Sequence, residues 1–268
     1  MNKKRGFTAA GLKAIAAFAM LADHTYKVFQ PQLVGALQAF FHVDADGGQL
    51  LLLLFCGATC ISFYIFAYFC GESCRYTRHR GRYLRNLFTF ALLSELPFQL
   101  LIDIIQGEPL QVHWGLSNVM FTLLLGVLAC FGFDTLARQG KRGAGALFVL
   151  LCAGTAGALG TDYGAYGVAA VFICYFCENP RQRQLALGAV IILQYVIGVL
   201  AVDIFTYGYN GYALMGTMIL MAYALCALPL LSAYNGQRGR GSRYFFYIFY
   251  PAHIALLVCL YVCLEIGS

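Results

Sequence analysis

The chain has 268 residues, 60% of them hydrophobic and only 11% charged, with a mean hydropathy of +0.70 and a formal net charge of +6. A soluble domain carries about a quarter charged residues, so this composition excludes a water-facing globule, a disordered chain and a secreted disulfide scaffold. The expected fold is all-α: a polytopic transmembrane helical bundle, with residues 1–268 forming a single integral-membrane domain.

A membrane span needs about 20 mostly apolar residues. Runs of this kind lie near 9–29, 49–70, 87–105, 117–137, 143–160, 162–177, 185–205, 212–233 and 244–265, which predicts about nine spans. The fifth and sixth are short and separated only by Gly160-Thr161-Asp162, so a tight helical hairpin is expected there. The first run is too long for a cleavable signal peptide, and no small-residue cleavage pattern follows it. Lys3, Lys4 and Arg5, the stretch from Arg75 to Arg85, then Arg138, Lys141 and Arg142, Arg181 and Arg183, and Arg238, Arg240 and Arg243 all fall on one side if nine spans alternate. Lys27 is the exception, and the opposite loops are assigned Asp44, Asp46, Asp103, Glu108, Asp162 and Asp203. The positive-inside rule then gives an inside N-terminus and an outside C-terminus, in a multi-pass protein of the cell (inner) membrane. The basic residues follow this topology, so the net charge does not point to nucleic acid. Most of the eleven cysteines sit inside apolar runs with no partner set at zinc spacing, so they read as packing residues and no metal is expected.

Titratable groups at membrane depth cost several kcal/mol unless paired or hydrated, which makes each a candidate for function. In the first span, His24 lies eleven residues beyond Lys13, or about 16 Å along a helix, and follows Asp23 directly. Histidine exchanges protons near neutral pH, and a carboxylate can orient it. Adjacent helical residues point about 100° apart, however, so Asp23 has room for another partner. In the third span Glu95 precedes Pro97, whose missing donor frees the carbonyl near Leu93. In the ninth, Tyr250, Pro251 and His253 make a polar notch. Asn118, Asp134 and the turn at 161–164 are lesser candidates, and Asp134 suits a pairing with Arg138. Between the second and third spans, Arg75, Arg78, Arg82 and Arg85 would share one face if the segment were a continuous helix, although Gly81 interrupts it. Guanidinium forks suit phosphate oxygens and Tyr76 or Tyr83 could stack on a base, while an inner basic loop also suits anionic headgroups.

Taken in order, these motifs resemble the TraX family of polytopic membrane acetyltransferases, known for acetylating the N-terminus of conjugative pilin. The resemblance covers nearly the whole chain. It rests on Lys13, Met20 and Asp23-His24, on Tyr83 and Arg85 leading into FALLSELPF, on Asn118 with Thr122, on Asp162-Tyr163-Gly164, and on FFYIFYPAH. The family is similar to a wider group of transmembrane acyltransferases fed by cytoplasmic acyl-CoA. The resemblance implies acetyl-CoA as donor, its phosphates near Arg75, Arg78, Arg82, Tyr83 and Arg85, of which Arg85 alone sits in the matching motif. It implies His24 as general base or transient acyl carrier, with Asp23 or Glu95 orienting it. Tyr250, His253 and Asn118 would shape a pocket for a membrane-associated acceptor: a prepilin-like peptide, a lipid-linked sugar or a cell-envelope precursor. Membrane lipids are the other expected partner.

Two further readings stay open on the residues. One is a proton-coupled transporter or flippase with Asp23, His24, Glu95 and His253 as a relay. The other is a non-catalytic scaffold, which leaves the buried charges without an account.

Overall fold

In lipid every backbone N–H and C=O must find its partner within the protein, which restricts an open chain of this composition to helices. A computed structural model describes residues 6–241 and 244–267; Lys3, Lys4, Arg5 and Arg243, four of the basic residues used for orientation, lie outside the described residues. Among the described residues the regular structure is helical, with one isolated bridge between Phe7 and Tyr234 and no strand. In chain order the helices are α1 (Ala9–Val28), α2 (Gln30–Phe41), α3 (Ala45–Cys56), α4 (Ile61–Tyr76), α5 (Arg80–Gln106), α6 (Val119–Arg138), α7 (Arg142–Ala158), α8 (Gly164–Phe176), α9 (Pro180–Leu193), α10 (Val202–Tyr207), α11 (Gly211–Leu225), α12 (Ala227–Ser232) and α13 (Phe245–Gly267). A 3₁₀ turn, Gly57–Cys60, joins α3 to α4, and a π-helical stretch, Gln194–Ala201, joins α9 to α10.

Among the described residues, six helical stretches are long and apolar enough to cross a membrane: Ala45–Tyr76, Arg80–Gln106, Val119–Arg138, Pro180–Tyr207, Gly211–Ser232 and Phe245–Ile266. The shorter apolar helices α7 and α8 form the expected hairpin, turning through Gly160 and through Tyr163, which adopts a left-handed φ of 64°. Large apolar side chains such as Phe18, Leu150, Leu185 and Phe205 are exposed, a surface that hydrocarbon can cover and water would not. The chain divides into two compact units, each discontinuous in sequence: Met1–Ile65 with Gly188–Arg240, and Phe66–Leu187 with Gly241–Ser268.

In the first unit, the start of α1 is fastened by a distant segment. Phe7 N–H donates to Ala233 O (2.8 Å), Asn235 N–H to Phe7 O (2.9 Å), and Ala9 and Ala10 N–H to the carbonyls of Gln237 and Arg238 (2.9 and 3.0 Å). Thr8 Oγ1 accepts from Gly11 N–H, so the donors that every helix leaves free at its first turn are taken up. Residues 30–48, between the first two expected spans, are expected as a loop. They instead form α2 and begin α3, with Pro31 in the first turn of α2, His42 ending it at a left-handed φ of 55°, and Asp44 capping α3 through Gly47 N–H. A Cβ on Gly57 would lie 2.4 Å from the Tyr223 ring, so the 3₁₀ turn approaches α11 only because that residue is glycine.

The second unit packs α6 against α7 and α8 through small residues, with Ala129, Cys152, Ala156 and Val168 at its centre. Two sequence expectations are corrected here. Asp103 is not in an outer loop; α5 runs 27 residues and carries Asp103 inside, 4% exposed. The four arginines do not share a helical face, because the chain breaks at 77–79 between α4 and α5. Arg75 stays on α4, where its Nη2 donates to the carbonyls of Cys174, Tyr175 and Cys177 at the end of α8, and Arg183 Nε joins it on Cys177 O (2.9 Å). Both cations thereby meet the negative end of that helix.

Gly71 on α4 has the tightest backbone constraint in this packing: a Cβ there would sit 2.4 Å from Val171 O and 2.8 Å from Tyr175 N. Gly71→Ala is expected to cost about 1–3 kcal/mol, as overpacked helix contacts do. Gly154→Ala, where nothing lies within 4 Å, should leave stability unchanged. Thermal unfolding of the two variants in detergent checks this, and equal midpoints would refute it.

Candidate functional site

Each unit contains a polar cluster in an otherwise apolar setting. In the first, α1 presents Asp23, whose Oδ2 accepts from Lys27 Nζ (2.7 Å), one helical turn on, and whose Oδ1 accepts from Thr59 Oγ1 (2.8 Å) of the 3₁₀ turn. The i,i+4 spacing brings Lys27 onto the carboxylate, so the one basic residue on the acidic side closes a buried charge rather than marking topology. Tyr26, Cys56, Cys60 and Tyr195 surround this group. Tyr195 opens the π-helical stretch together with Gln194, whose Oε1 accepts from Tyr64 Oη (3.0 Å), so the irregular turn delivers two polar side chains to this part of the unit. His24 follows Asp23, half-buried and within its electrostatic reach. Both oxygens of Asp23 are engaged by Lys27 and Thr59, so the carboxylate serves the other partners that helix geometry allows it.

The second cluster is larger. Glu95 on α5 is buried, and its carboxylate accepts from Gln99 Nε2 (2.9 Å), Ser117 N–H and Oγ–H (both 2.8 Å), Asn118 N–H (3.2 Å) and Asn118 Nδ2. Asn118 is the N-cap of α6, so the carboxylate sits against the positive end of that helix, held by neutral donors. The helix around Glu95 has a thinned ladder: Pro97 has no N–H, and Ser94 Oγ bonds back to Phe90 O (2.6 Å). Gln99 and Asp103 continue from Glu95 at intervals of four. Gln99 Oε1 accepts from His113 N–H (3.0 Å), and Asp103 accepts from Gln111 N–H (2.9 Å) and His113 Nε2–H (2.8 Å). One face of α5 therefore organises the connection 107–118. The turn at 161–164 joins the same group: Asp162 N–H donates to Ser117 O (2.7 Å), and Thr122 Oγ1 bonds to Asp162 O and to Thr161 Oγ1 (2.9 Å). Tyr250 on α13, 3% exposed, has its hydroxyl beside the Val119 N–H at the start of α6 and lies within electrostatic reach of Asp162 and Glu95. His253 stacks on Phe249 at 4.6 Å and donates from Nδ1 to Phe249 O (2.8 Å); its ring meets Tyr250 edge-on at 5.8 Å, the shared face that their spacing implied.

A cleft of about 660 Å³ opens beside this cluster, lined by Gln99, Asp103, His113, Ser117 and Asp162 with Phe98, Ile102, Gln106, Glu108, Gln111, Gly115 and Gly160. Of its polar walls, the sequence reading singled out only the turn containing Asp162 as a site candidate. Gln99, Asp103, His113 and Ser117 were missed, although the Glu95-Gln99-Asp103 spacing was a readable signal. Asn118 is fully buried, with Nδ2 donating to Ala91 O (2.8 Å) as well as to Glu95 and Oδ1 accepting from Met120 N–H, so its amide is committed to holding the site.

At the basic end of this unit, Arg78, Arg82 and Arg85 are exposed, while Arg75 is engaged as described. Tyr83 lies among Cys70, Cys74 and Tyr247, with its ring against Phe131 at 6.3 Å. Asp134 pairs with Arg138 (3.1 Å), as its spacing suggested, and also with Arg80.

The TraX protein family model matches residues 8–261. The chain is also similar to the probable fimbrial assembly protein FimC, serogroup H1, of Dichelobacter nodosus, at 27% identity over 265 residues, 96% of this chain and 97% of that one. No solved structure matches it. A match of that extent places the chain: it belongs to the TraX family.

Glu95→Ala would orphan five donors, at about 1–3 kcal/mol for each that stays buried. Amide hydrogen exchange is expected to speed up across residues 111–118 in this variant and much less in Glu95→Gln. Unchanged exchange there would show that Glu95 does not hold the connection.

Proposed function

We propose, from this membership, that the protein is a membrane-embedded acyltransferase of fimbrial or pilus assembly in the cell (inner) membrane. It moves an acetyl group from cytoplasmic acetyl-CoA to an amine or hydroxyl of a membrane-associated acceptor. The observation that most supports this is convergence. The SELPF glutamate, Asn118 with Thr122, the Asp162-Tyr163-Gly164 turn and Tyr250 of the YPAH element are far apart in sequence, yet they meet in one buried hydrogen-bonded cluster beside a cleft. A scaffold has no need to gather polar groups in this way. The crossing count of nine, with the basic segments inside, belongs to the same proposal.

The roles follow from the chemistry of each group. His24 removes the proton of the acceptor N–H or O–H as that atom attacks the thioester carbonyl; the C–S bond then breaks and the thiolate of CoA is reprotonated. Transient acylation of the imidazole is the two-step form of the same transfer and predicts ping-pong kinetics. Asp23, neutralised by Lys27, is a positioning residue for α1, and Glu95 is one for α6 and the connection before it. Arg78, Arg82 and Arg85 hold the phosphates of acetyl-CoA, since their guanidinium groups are the exposed ones. Tyr250 and His253 shape the acceptor side.

His24→Ala is expected to abolish acetyl transfer while leaving acetyl-CoA binding intact, as measured on the purified protein in detergent. Retained turnover removes His24 from the chemistry, and proton flux into liposomes without acetyl-CoA turnover would favour transport instead. Arg85→Ala should weaken acetyl-CoA binding about tenfold and flatten its salt dependence, because a screened phosphate contact is lost. Unchanged affinity and salt dependence would return Arg85 to a purely topological role.

A further inference from the structure

The connection between α5 and α6 carries a pattern that the cleft accounts for only on one side. Residues 108–117 form no helix or strand, yet their sequence alternates strictly from Leu110 onward. Leu110, Val112, Trp114 and Leu116 are separated in turn by Gln111, His113, Gly115 and Ser117. The polar and small set lines the cleft, and the apolar set does not. That is the period of an extended chain with two faces. Leu110, Val112 and Trp114 are exposed, Trp114 completely. The segment is not loose, since Asp103 and Gln99 of α5 hold the N–H groups of Gln111 and His113. An apolar face is thus presented outward by a backbone fixed from behind.

The height of this face in a bilayer follows from the two flanking helices. Arg80 of α5 pairs with Asp134 of α6, which sets their basic ends level. At about 1.5 Å per residue Glu95 stands about 22 Å above Arg80, and Asn118 about 24 Å above Asp134. Glu95 and Asn118 do bond to each other, so the two helices run side by side and residue number on α5 measures height. A hydrocarbon core about 30 Å thick, with its near edge between Arg80 and Arg85, has its far edge between about Leu100 and Ile105. His113 is tied to Gln99 and Gln111 to Asp103, so the strip from Leu110 to Trp114 crosses that edge. The exposed Phe88, Leu92 and Leu96 of α5 end just below it. Tryptophan concentrates at this depth, where its ring meets acyl chain and its N–H meets headgroup or water. Four side chains fall short of the about 800 Å² that each side of a stable protein interface covers. We propose that Leu110, Val112, Trp114 and Leu116 form a lipid anchor, seated at the headgroup–acyl boundary of the leaflet opposite the Arg80–Asp134 end. Irregular backbone at this depth persists only where protein or a water-filled cavity takes up its polar groups, and the cleft on the other face of the same segment supplies that cavity. The cleft then opens at headgroup level. None of this rests on the acyltransferase reading.

Trp114 is the only tryptophan in the chain, so its emission reads this face directly. The full chain is reconstituted into phosphatidylcholine vesicles whose lipids carry a nitroxide either near the glycerol or near the chain end, and iodide is titrated on both sides of the membrane. Quenching by the shallow label is expected to exceed that by the deep one about twofold, with iodide quenching about threefold below that of N-acetyltryptophanamide in water. Iodide quenching equal to that of the free indole, with no response to either label, puts Trp114 in water and overturns the proposal. Stronger quenching by the deep label overturns it as well, because the ring then lies in the hydrocarbon rather than at its edge. Shielding from iodide without lipid quenching means that a protein surface covers the face, and the lipid assignment fails. The double variant Leu110→Glu, Val112→Glu changes two exposed side chains and leaves the bonds from α5 to Gln111 and His113 in place. It should keep the thermal midpoint in detergent while iodide quenching of Trp114 in vesicles rises about twofold. An unaltered iodide response in the folded variant would show that Trp114 seats alone and that the strip is not one anchor.

Discussion

The second unit depends on a carboxylate held without a cation. A bare anion removed from water carries a heavy solvation cost, and a bundle with this little charge has few cations to spare. Glu95 meets the cost with two backbone N–H groups at the start of α6, a hydroxyl and two side-chain amides. Each donor belongs to a different structural task. Ser117 and Asn118 begin α6, Gln99 grips the connection through His113, and Asn118 reaches back to Ala91 on α5. The position of α6, the path of residues 107–118 and the turn bonded to Ser117 O therefore all follow from where Glu95 sits.

The first unit solves the same problem differently. Asp23 takes Lys27 from its own helix and a hydroxyl from the 3₁₀ turn. An ion pair with a half-exposed lysine is cheap to form, but it uses both carboxylate oxygens. Irregular backbone marks this cluster twice, in the 3₁₀ turn bearing Thr59 and in the π-helical stretch bearing Gln194 and Tyr195. Such departures persist in a membrane only where neighbouring groups compensate the altered ladder, and here they bring polar side chains among Asp23, Tyr64 and Cys60.

Much of this was legible in the sequence, for identifiable reasons. Helices follow from composition, the α7–α8 hairpin from two short runs around Gly160, and the Asp134–Arg138 pair from spacing alone. Glu95 and Tyr250 stood out because a polar group in an oily run is a strong signal. What was misread depended on contacts distant in sequence. Asp103 looked like a loop acid because charge near a span end usually is, and only the length of α5 shows that it lies inside. The break falls at 77–79 rather than at Gly81, the interruption that the sequence offers, and the pull of Arg75 toward the carbonyls of α8 appears only once the two helices are adjacent. Helix α2 was hidden because it is too short to be a span. Gln99 and His113 are ordinary polar residues until the connection folds back onto α5.

The fastening of α1 bears on how the protein can be made. Residues 6–10 lie on the segment 233–238, with Asn235 Nδ2 reaching Gly6 O across 229 positions of sequence. During synthesis residues 6–10 therefore leave the ribosome long before their partner exists, whereas α6, α7 and α8 of the second unit meet one another soon after emerging. Helix α1 is therefore secured late, and until the segment 233–238 arrives its leading N–H groups must rely on water at the membrane surface. Assembly thus closes on a contact between segments some 229 positions apart in the chain.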